Sequence, residues 1–344
     1  MINRLRLLLI LIAFVPSIAK AQVGGRSVYN FLTVTPEARA AALAGKNYAH
    51  NDSTLEFAIY NPALINESMH GQVSLNAVSH PSGIFFGSTR YAHSFENAGT
   101  FTAGVLIADY GTFDGRDPFG VQTGDFGATD LAIQFGYAYA IDENWRLGAN
   151  VHIINSAYER YSSFGLATDL AVLYTIPDKR FDVALVAHHL GAELNSYSGE
   201  RGSLPFNLSL TVSNRFEHLP FRWFITADNL HTPDVSFVNP ANATRDPSTN
   251  LRVDEDISVL NRVARHFSFG AELAPSKGFH VGVAYDLRRA NEMRTAAFRS
   301  SAGLSFGLGF KVKKVKFDYA RNIMHIAGAS NLFTINILLN QKDS

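Results

Sequence analysis

Large apolar residues alternate with small or polar residues over most of the chain, from His70 to its C-terminal end. The pattern is clearest from Leu131 to Tyr139, where every second residue is large and apolar. A period of two places successive side chains on opposite faces of a β-strand. About fourteen segments show it, at 70–79, 83–92, 99–109, 126–140, 144–156, 163–175, 180–190, 204–216, 221–230, 265–274, 277–287, 300–311, 313–321 and 330–340.

The second face of these segments is made of Gly, Ala, Ser, Thr and Asn. An outer-membrane barrel needs this composition, because its apolar face meets lipid and its small or polar face lines the lumen. A soluble β-sandwich rarely needs so many consecutive strands of this kind. We therefore predict an all-β fold: an outer-membrane antiparallel β-barrel of about fourteen strands over residues 70–340, with a C-terminal tail at 341–344.

The connections between the predicted strands alternate in length, as the short turns and long loops of outer-membrane barrels do. The short ones lie at 141–143, 176–179, 217–220, 275–276 and 312, and the longer ones at 110–125, 157–162, 191–203, 231–264, 288–299 and 322–329. With an even strand number, we expect the long loops at the cell surface and both mature termini in the periplasm.

Residues 22–69 do not alternate, and they precede the predicted barrel. Pro36, followed by an Ala-rich stretch that stops at Gly45, predicts one short helix. The segment is too apolar to favour the alternative, a disordered periplasmic tail. We expect a hatch in the lumen, in which Asn61-Pro62 forms the turn into the first strand. The residues assigned to this hatch are Tyr29, Phe31, Leu32, Arg39, Gly45, Asn61 and Pro62.

Residues 1–21 have the features of a secretory signal peptide. Arg4 and Arg6 precede an apolar stretch, and Ala19-Lys20-Ala21 is a small-residue cleavage site of the A-x-A kind. The apolar stretch is too short to cross a bilayer as a helix. We expect the mature chain to begin at Gln22.

The amino-acid composition excludes several kinds of chemistry. The chain has 30 basic and 30 acidic residues, so no basic excess points to nucleic acid, and it has no cysteine for disulfides or thiolate chemistry. Gly303 to Gly307 matches a nucleophile elbow, but it falls in an alternating strand and not at a strand-to-helix turn. The neighbours His188 and His189 would point to opposite faces of a regular strand. We therefore predict no catalytic residue, metal or cofactor.

The longest predicted loop, 231–264, has two features that favour a binding surface. Three prolines stiffen it, and its last part has apolar residues at helical spacing, namely Ile257, Leu260 and Val263. The acidic run Asp254-Glu255-Asp256 lacks the spacing of a calcium loop, so we favour a capped surface helix. An exposed apolar stripe of this kind should be covered by a partner.

A second predicted loop, 288–299, is rich in arginine. Arginine binds phosphate groups bidentately, so this loop is a candidate contact for lipopolysaccharide. A solvated loop is the open alternative. The residues concerned are Arg288, Arg289, Arg294 and Arg299.

Three motifs resemble a known family. They are Gly24 to Leu32, Ala38 to Gly45 and Asn61-Pro62-Ala63-Leu64. They resemble the start of the PorV/PorQ family, FadL-like outer-membrane barrels of the type IX secretion system. The family usually has Ala-Leu-Gly-Gly where this chain has Ala44 in the third position.

The resemblance implies a fourteen-stranded barrel with a hatch and no enzymatic activity. It also implies a place in an attachment complex that links cargo to lipopolysaccharide, with a PorZ-like surface protein, a PorU-like sortase and a PorV-like barrel as partners. The alternative function on the same fold is a FadL-like channel for uptake of hydrophobic small molecules. The outside loops distinguish the attachment function from the channel function, because docking needs an ordered surface and a channel needs an apolar entrance.

Overall fold

Fourteen antiparallel strands close into a barrel in the computed structural model, which confirms the predicted fold class and strand number. The structure describes residues 27–197, 199–237, 243–245, 248–253, 256–276, 278–293, 301–325 and 328–339. The predicted signal peptide and C-terminal tail lie outside these residues.

Each barrel strand pairs with its neighbours in sequence, and the last strand pairs with the first. The strands are β1 Gln72–Ser79, β2 Phe85–Phe95, β3 Gly99–Arg116, β4 Gln122–Ala140, β5 Trp145–Tyr158, β6 Tyr161–Ile176, β7 Phe181–Asn195, β8 Asn207–Arg215, β9 Phe221–Ala227, β12 Phe267–Ser276, β13 Phe279–Asp286, β14 Leu304–Val312, β15 Val315–His325 and β16 Gly328–Leu338. The short pair β10 Thr244–Arg245 and β11 Arg252–Val253 forms a separate ribbon between β9 and β12.

The helical elements among the described residues are short. They are the α-helices Ala38–Ala42, Val259–Ala264 and Leu287–Glu292 and the 3₁₀ turns Asn30–Thr33, Leu55–Phe57, Pro62–Leu64, Glu67–Met69 and Pro177–Lys179. None of the helices in the described ranges has the length and apolar character to span a bilayer.

The alternation in sequence separates the two faces of the barrel wall. On β4, Ile133 and Phe135 point outward and are exposed, whereas Ala132 and Gln134 point inward and are buried. Closure gives every strand two hydrogen-bonded neighbours and removes the free sheet edges that lipid would not tolerate.

The β3–β4 connection differs from the predicted long loop at 110–125. Both strands continue as a hairpin to Arg116 and Gln122, with a turn of five residues between them. The extension lies beyond the barrel wall, so both of its faces are exposed. Without a buried face it carries no clear alternation, and the sequence therefore did not reveal it.

The two ends of the barrel differ. We call the end with the connections β5–β6, β7–β8 and β9–β12 the loop end, and the other the turn end. The backbone N–H of Leu339 donates to Gly71, so the chain leaves β16 beside the start of β1 at the turn end. Ser27, in contrast, pairs with Ser203 in the β7–β8 loop. The chain from Ser27 to Gly71 therefore runs from the loop end to the turn end. The expected mature N-terminus, Gln22, lies outside the described residues.

This segment lies inside the barrel. Its helix Ala38–Ala42 packs on β14, β15 and β16, and its 3₁₀ turn Pro62–Leu64 packs on β4, β5 and β6. These strands stand on different sides of a closed ring, so only the lumen allows both sets of contacts.

The outward face gives a first prediction. Val283 is exposed near the middle of β13, and Val283→Arg should destabilise the barrel in lipid by roughly 2–4 kcal/mol, because a charge near the bilayer midplane is poorly solvated. The measurement is urea unfolding in lipid vesicles, with Val283→Leu as the control. Equal stability of the Arg and Leu variants would show that this face does not meet lipid.

Candidate functional site

An apolar chamber lies in the lumen toward the loop end and holds the first described residues. Tyr29, Phe31 and Leu32, all predicted hatch residues, are buried in it. They belong to one cluster with large inward-facing side chains, namely Val78, Phe86, Leu106, Ile154 and Leu332. The N-terminal segment therefore fills the apolar part of the lumen with its own side chains.

The wall is shaped around Tyr29. Its hydroxyl lies 2.5 Å from the Ser163 hydroxyl, and Ser163 in turn donates to Glu193 at 2.5 Å. A Cβ at Gly165 would lie 2.5 Å from the Tyr29 ring, so only glycine leaves room for it. Burial raises the pKa of Tyr29 to about 12, so the side chain is neutral at physiological pH.

Arg39 is the centre of a polar cluster deeper in the lumen. Its Nε and Nη2 donate to the two carboxylate oxygens of Glu272 on β12, each at 2.8 Å. Its Nη1 lies 2.9 Å from Asp52 Oδ2, and its guanidinium carbon lies 5.6 Å from the Phe57 ring centroid. A bidentate Arg–carboxylate pair is strong and specific in direction. Arg39 thus fixes the helix Ala38–Ala42 to the wall.

Two more ion pairs fix the segment elsewhere. Lys46 Nζ lies 2.8 Å from Asp228 and 2.9 Å from Asp286, at the loop-end termini of β9 and β13. Glu56 accepts from Lys316 of β15 at 3.1 Å. The sequence interpretation did not name these residues. Their signal in the sequence is a charge inside an otherwise apolar segment. This signal identifies the residues but does not identify their partners.

His50 is buried beside this cluster. Its Nε2 lies 3.0 Å from Asp52 Oδ2, and its ring stacks on Phe57 with centroids 4.1 Å apart. Burial lowers the pKa of His50 to about 4, and the positive charge of Arg222 adds to this. Burial alone would raise the pKa of Asp52, but Arg39 holds it well below its usual value. His50 is therefore neutral and Asp52 ionised at neutral pH.

Gly45 and Asn61-Pro62 shape the backbone of the segment. Gly45 has φ +68°, and a Cβ there would clash with Thr35 Oγ1. Asn61 caps the turn Pro62–Leu64 by accepting from Ala63 N–H at 2.8 Å. This turn ends eight residues before Gln72, so Asn61-Pro62 does not lead directly into β1 as predicted. The intervening residues form the further turn Glu67–Met69.

His188 and His189 also differ from the prediction that they point to opposite faces. The register between β6 and β7 shifts here, and His189 has φ +55°. In this β-bulge both residues oppose Asp169, whose Oδ1 accepts from His189 N–H at 2.8 Å. His152 Nε2 lies 2.6 Å from the other Asp169 oxygen. No group of residues suited to hold a metal ion is found in the part of the chain that the structure describes.

The exposed apolar residues in the 231–264 loop differ in part from the predicted stripe. The helix Val259–Ala264 exists, but Ile257 precedes it and is buried, with 6% exposed. Leu260 is 80% exposed and Val263 51%, and Val259, at 76%, replaces Ile257 in the exposed set. The cap is Ser258, whose hydroxyl accepts from Asn261 N–H, so the helix starts later than the apolar spacing indicated. Asp254 and Glu255 lie outside the described residues.

Two of the four predicted lipopolysaccharide contacts lie in the helix Leu287–Glu292. Arg288 donates through Nε to Glu292 at 2.8 Å. Arg289 donates its backbone N–H to Asp286, which caps this helix. Arg294 and Arg299 lie outside the described residues. A contact with lipopolysaccharide stays a prediction.

The Arg39 cluster gives a second prediction. Arg39→Met leaves Glu272 buried without its partner, which should cost about 3–5 kcal/mol. Hydrogen exchange of the amides from 37 to 64 should accelerate accordingly. The matched control is Arg39→Met combined with Glu272→Met, which removes both charges and should restore most of the protection. Equal exchange in the single variant and the wild type would contradict the role given to this ion pair.

His50 gives a third prediction. Its pKa in the folded protein, about 4, is below the ordinary 6.5, so its contribution to stability is complete above pH 6.5 and lost as the pH falls through 4. Urea unfolding at several pH values should show this loss in the wild type. His50→Gln should have a flatter profile over this range, whereas His218→Gln, at an exposed turn, should follow the wild type. Parallel profiles for all three proteins would remove His50 as the cause.

Comparison with known proteins bears on the fold. No family model matches the chain, and no curated protein matches it. A solved structure of a deltaS2 mutant of TodX, a monoaromatic hydrocarbon channel, is 13% identical, with a TM-score of 0.51 over 90% of this chain and 98% of that one.

Two other solved structures are also similar to this chain. The Pseudomonas putida toluene transporter TodX is 12% identical, with a TM-score of 0.49 over 92% of this chain and 98% of that one. A Pseudomonas aeruginosa FadL homologue is 10% identical, with a TM-score of 0.46 over 91% and 99%. The likeness to the deltaS2 mutant shows that this chain shares the barrel fold of that protein.

Proposed function

We propose that this chain is an outer-membrane docking protein whose loop end holds a surface protein of the type IX attachment complex. The observation that carries the proposal is the helix Val259–Ala264, which presents Val259, Leu260 and Val263 to solvent at the loop end. In outer-membrane barrels the long loops face the outside. An exposed apolar group of this kind is typical of an interaction site.

The helix stands on an ordered base. Ile257 anchors its start, and Arg262 donates through Nε to the Ile257 carbonyl at 3.0 Å. Arg265 donates to the Asn261 side chain at 2.9 Å. An interface built on a fixed helix loses less conformational entropy on binding than one built on a mobile loop.

The binding free energy that this helix can supply is limited. Burying three apolar side chains contributes roughly 1.5–3 kcal/mol each. Association costs about 4–15 kcal/mol in lost translational and rotational freedom. The helix can therefore act as the anchor of an interface, and the β7–β8 and β13–β14 loops must supply further contacts.

The partner is inferred from the resemblance of residues 24–64 to the PorV/PorQ family. It supports a PorZ-like surface protein as the occupant, with a PorU-like sortase and a PorV-like barrel beside it, and lipopolysaccharide as the final acceptor of cargo. In this function the barrel performs no covalent chemistry.

A second function, a channel for hydrophobic small molecules, is favoured by two observations. The comparisons fit it better than they fit docking, because TodX is a monoaromatic hydrocarbon channel. The chamber around Tyr29, Phe31 and Leu32 is apolar, so a hydrophobic ligand could replace these side chains. Against this function, two cavities at the turn end are lined mainly by polar side chains.

The fourth prediction tests docking directly. Leu260→Asp combined with Val263→Asp should abolish co-purification of a PorZ-like protein from detergent-solubilised outer membrane, because two charges would enter the buried interface. Phe119→Asp is the matched control, since Phe119 is an exposed apolar residue in another loop. Retention of the partner by the double variant at the wild-type level would reject the docking surface.

The channel is tested on the same proteins. Vesicles that contain the barrel are compared with empty vesicles for toluene uptake, and a variant with Tyr29→Gly and Phe31→Gly opens the chamber. Uptake above the empty vesicles that rises further in this variant, together with unchanged partner binding in the loop variant, would establish the channel in place of docking.

A further inference from the structure

We infer that the lumen has an anion site at its turn end, which binds a small soluble phosphate-bearing molecule. A cavity of about 440 Å³ opens there. Its lining includes three arginines and one aspartate, a net charge of +2 when all four are ionised. The residues that line it are Asn51, Thr175, Pro177, Arg180, Asp182, Arg215 and Arg222.

Two neighbouring turns bring the arginines together. Arg222 is the second residue of β9 and faces inward, and Arg215 ends β8 directly opposite it in the antiparallel register. Arg180 lies in the adjacent β6–β7 turn with φ +50°, and its carbonyl accepts from Arg215 N–H at 3.1 Å. Like charges directly opposite each other on two strands repel. A bound anion would convert this repulsion into attraction.

Arg222 is the strongest indication of a ligand. Only 9% of it is exposed, and its Nη2 donates to the Asn51 carbonyl at 3.2 Å. Its Nη1 is buried and has no hydrogen-bond partner among the described residues. A buried charged donor without a partner is costly, so such groups are normally satisfied by a ligand, an ion or water.

The nearby carboxylates are already in use. Arg39 takes both oxygens of Glu272 and also pairs with Asp52. Asp182 Oδ1 accepts from Thr175 at 2.8 Å and from Asn51 at 3.1 Å. The negative charge of Asp182 remains in the lining, which reduces but does not cancel the positive charge of the three arginines.

The chemistry of the donors selects the ligand class. Guanidinium groups form paired hydrogen bonds to phosphate oxygens, and a dianion matches the net charge of +2. The cavity lies on the inward side of the strands, at the mouth of the lumen. A soluble phosphate compound can enter there directly, whereas a lipid headgroup would have to leave the outward, lipid-facing surface.

The experiment uses the full-length protein in neutral detergent, titrated with sodium phosphate by calorimetry at constant ionic strength. Saturable binding is expected. Arg222→Gln and Arg215→Gln should each weaken it at least tenfold, since each removes a charge-assisted hydrogen bond. Arg160→Gln, an exposed arginine at the opposite end of the barrel, should leave it unchanged.

Folding of each variant is checked by heat-modifiable mobility. Arg215 is exposed at a turn, so its variant keeps the test decisive if Arg222→Gln does not fold. Absence of saturable binding in the wild type, or equal weakening by Arg160→Gln, would overturn the site. Binding seen only in micelles that contain phosphatidylglycerol would replace the soluble ligand with a lipid headgroup and overturn the proposal as stated. None of these outcomes depends on docking at the loop end.

Discussion

Pairing of β1 with β16 is the constraint on which the rest of the structure depends. Eight residue pairs, from Gln72 with Leu338 to Ser79 with Asn331, join the first strand to the last. In hydrocarbon, each backbone N–H and C=O must find its partner within the protein, and a closed ladder achieves this without a free edge. Closure also creates an interior that must be filled, and the inward set of small and polar residues determines what can fill it.

The filling comes from the chain's own N-terminal segment, and its charges match those of the wall. Arg39, Lys46 and Glu56 each meet an opposite charge on a different strand, namely Glu272 on β12, Asp286 on β13 and Lys316 on β15. Ion pairs that are buried contribute little net stability compared with apolar packing, but they are specific in direction and position. Contacts on several sides of the ring therefore favour one placement of the segment over others of equal apolar burial.

Sequence reasoning predicted the features that depend on one repeated physical rule. The period of two, with Ile133 outward and Ala132 inward, follows from the two environments of the wall and was visible in the sequence. Prediction from the sequence failed where the alternation no longer applies. The hairpin beyond Asp109 has no buried face. The bulge at His188 and His189 inserts one residue and so changes which face the next side chains lie on, and composition gives no sign of this insertion.

The pairing of the lumen charges was also beyond the sequence. A segment of 45 residues, from Ser27 to Gly71, could enter the barrel from either end, and the sequence does not state which inward carboxylate Arg39 will meet. The structure sets the path by the contact of Ser27 with Ser203 at the loop end. Glu272 then lies opposite Arg39, a relation between residues more than two hundred positions apart.

The N-terminal segment fills the apolar part of the lumen, and the two proposed binding sites lie at the two ends of the barrel. At the turn end, the carboxylates engaged by Arg39 leave Arg222 with an unused donor, so the same ion pair that holds the segment also leaves positive charge at the mouth. At the loop end, the chain lies beyond the barrel wall, so its residues do not have to alternate between two faces. A helix there can present Leu260 and Val263 to a partner. Displacement of the whole segment from the lumen would require the Arg39, Lys46 and Glu56 contacts to break, since all three residues belong to it. The docking proposed for the loop end requires no movement of this segment, whereas opening the lumen would require it.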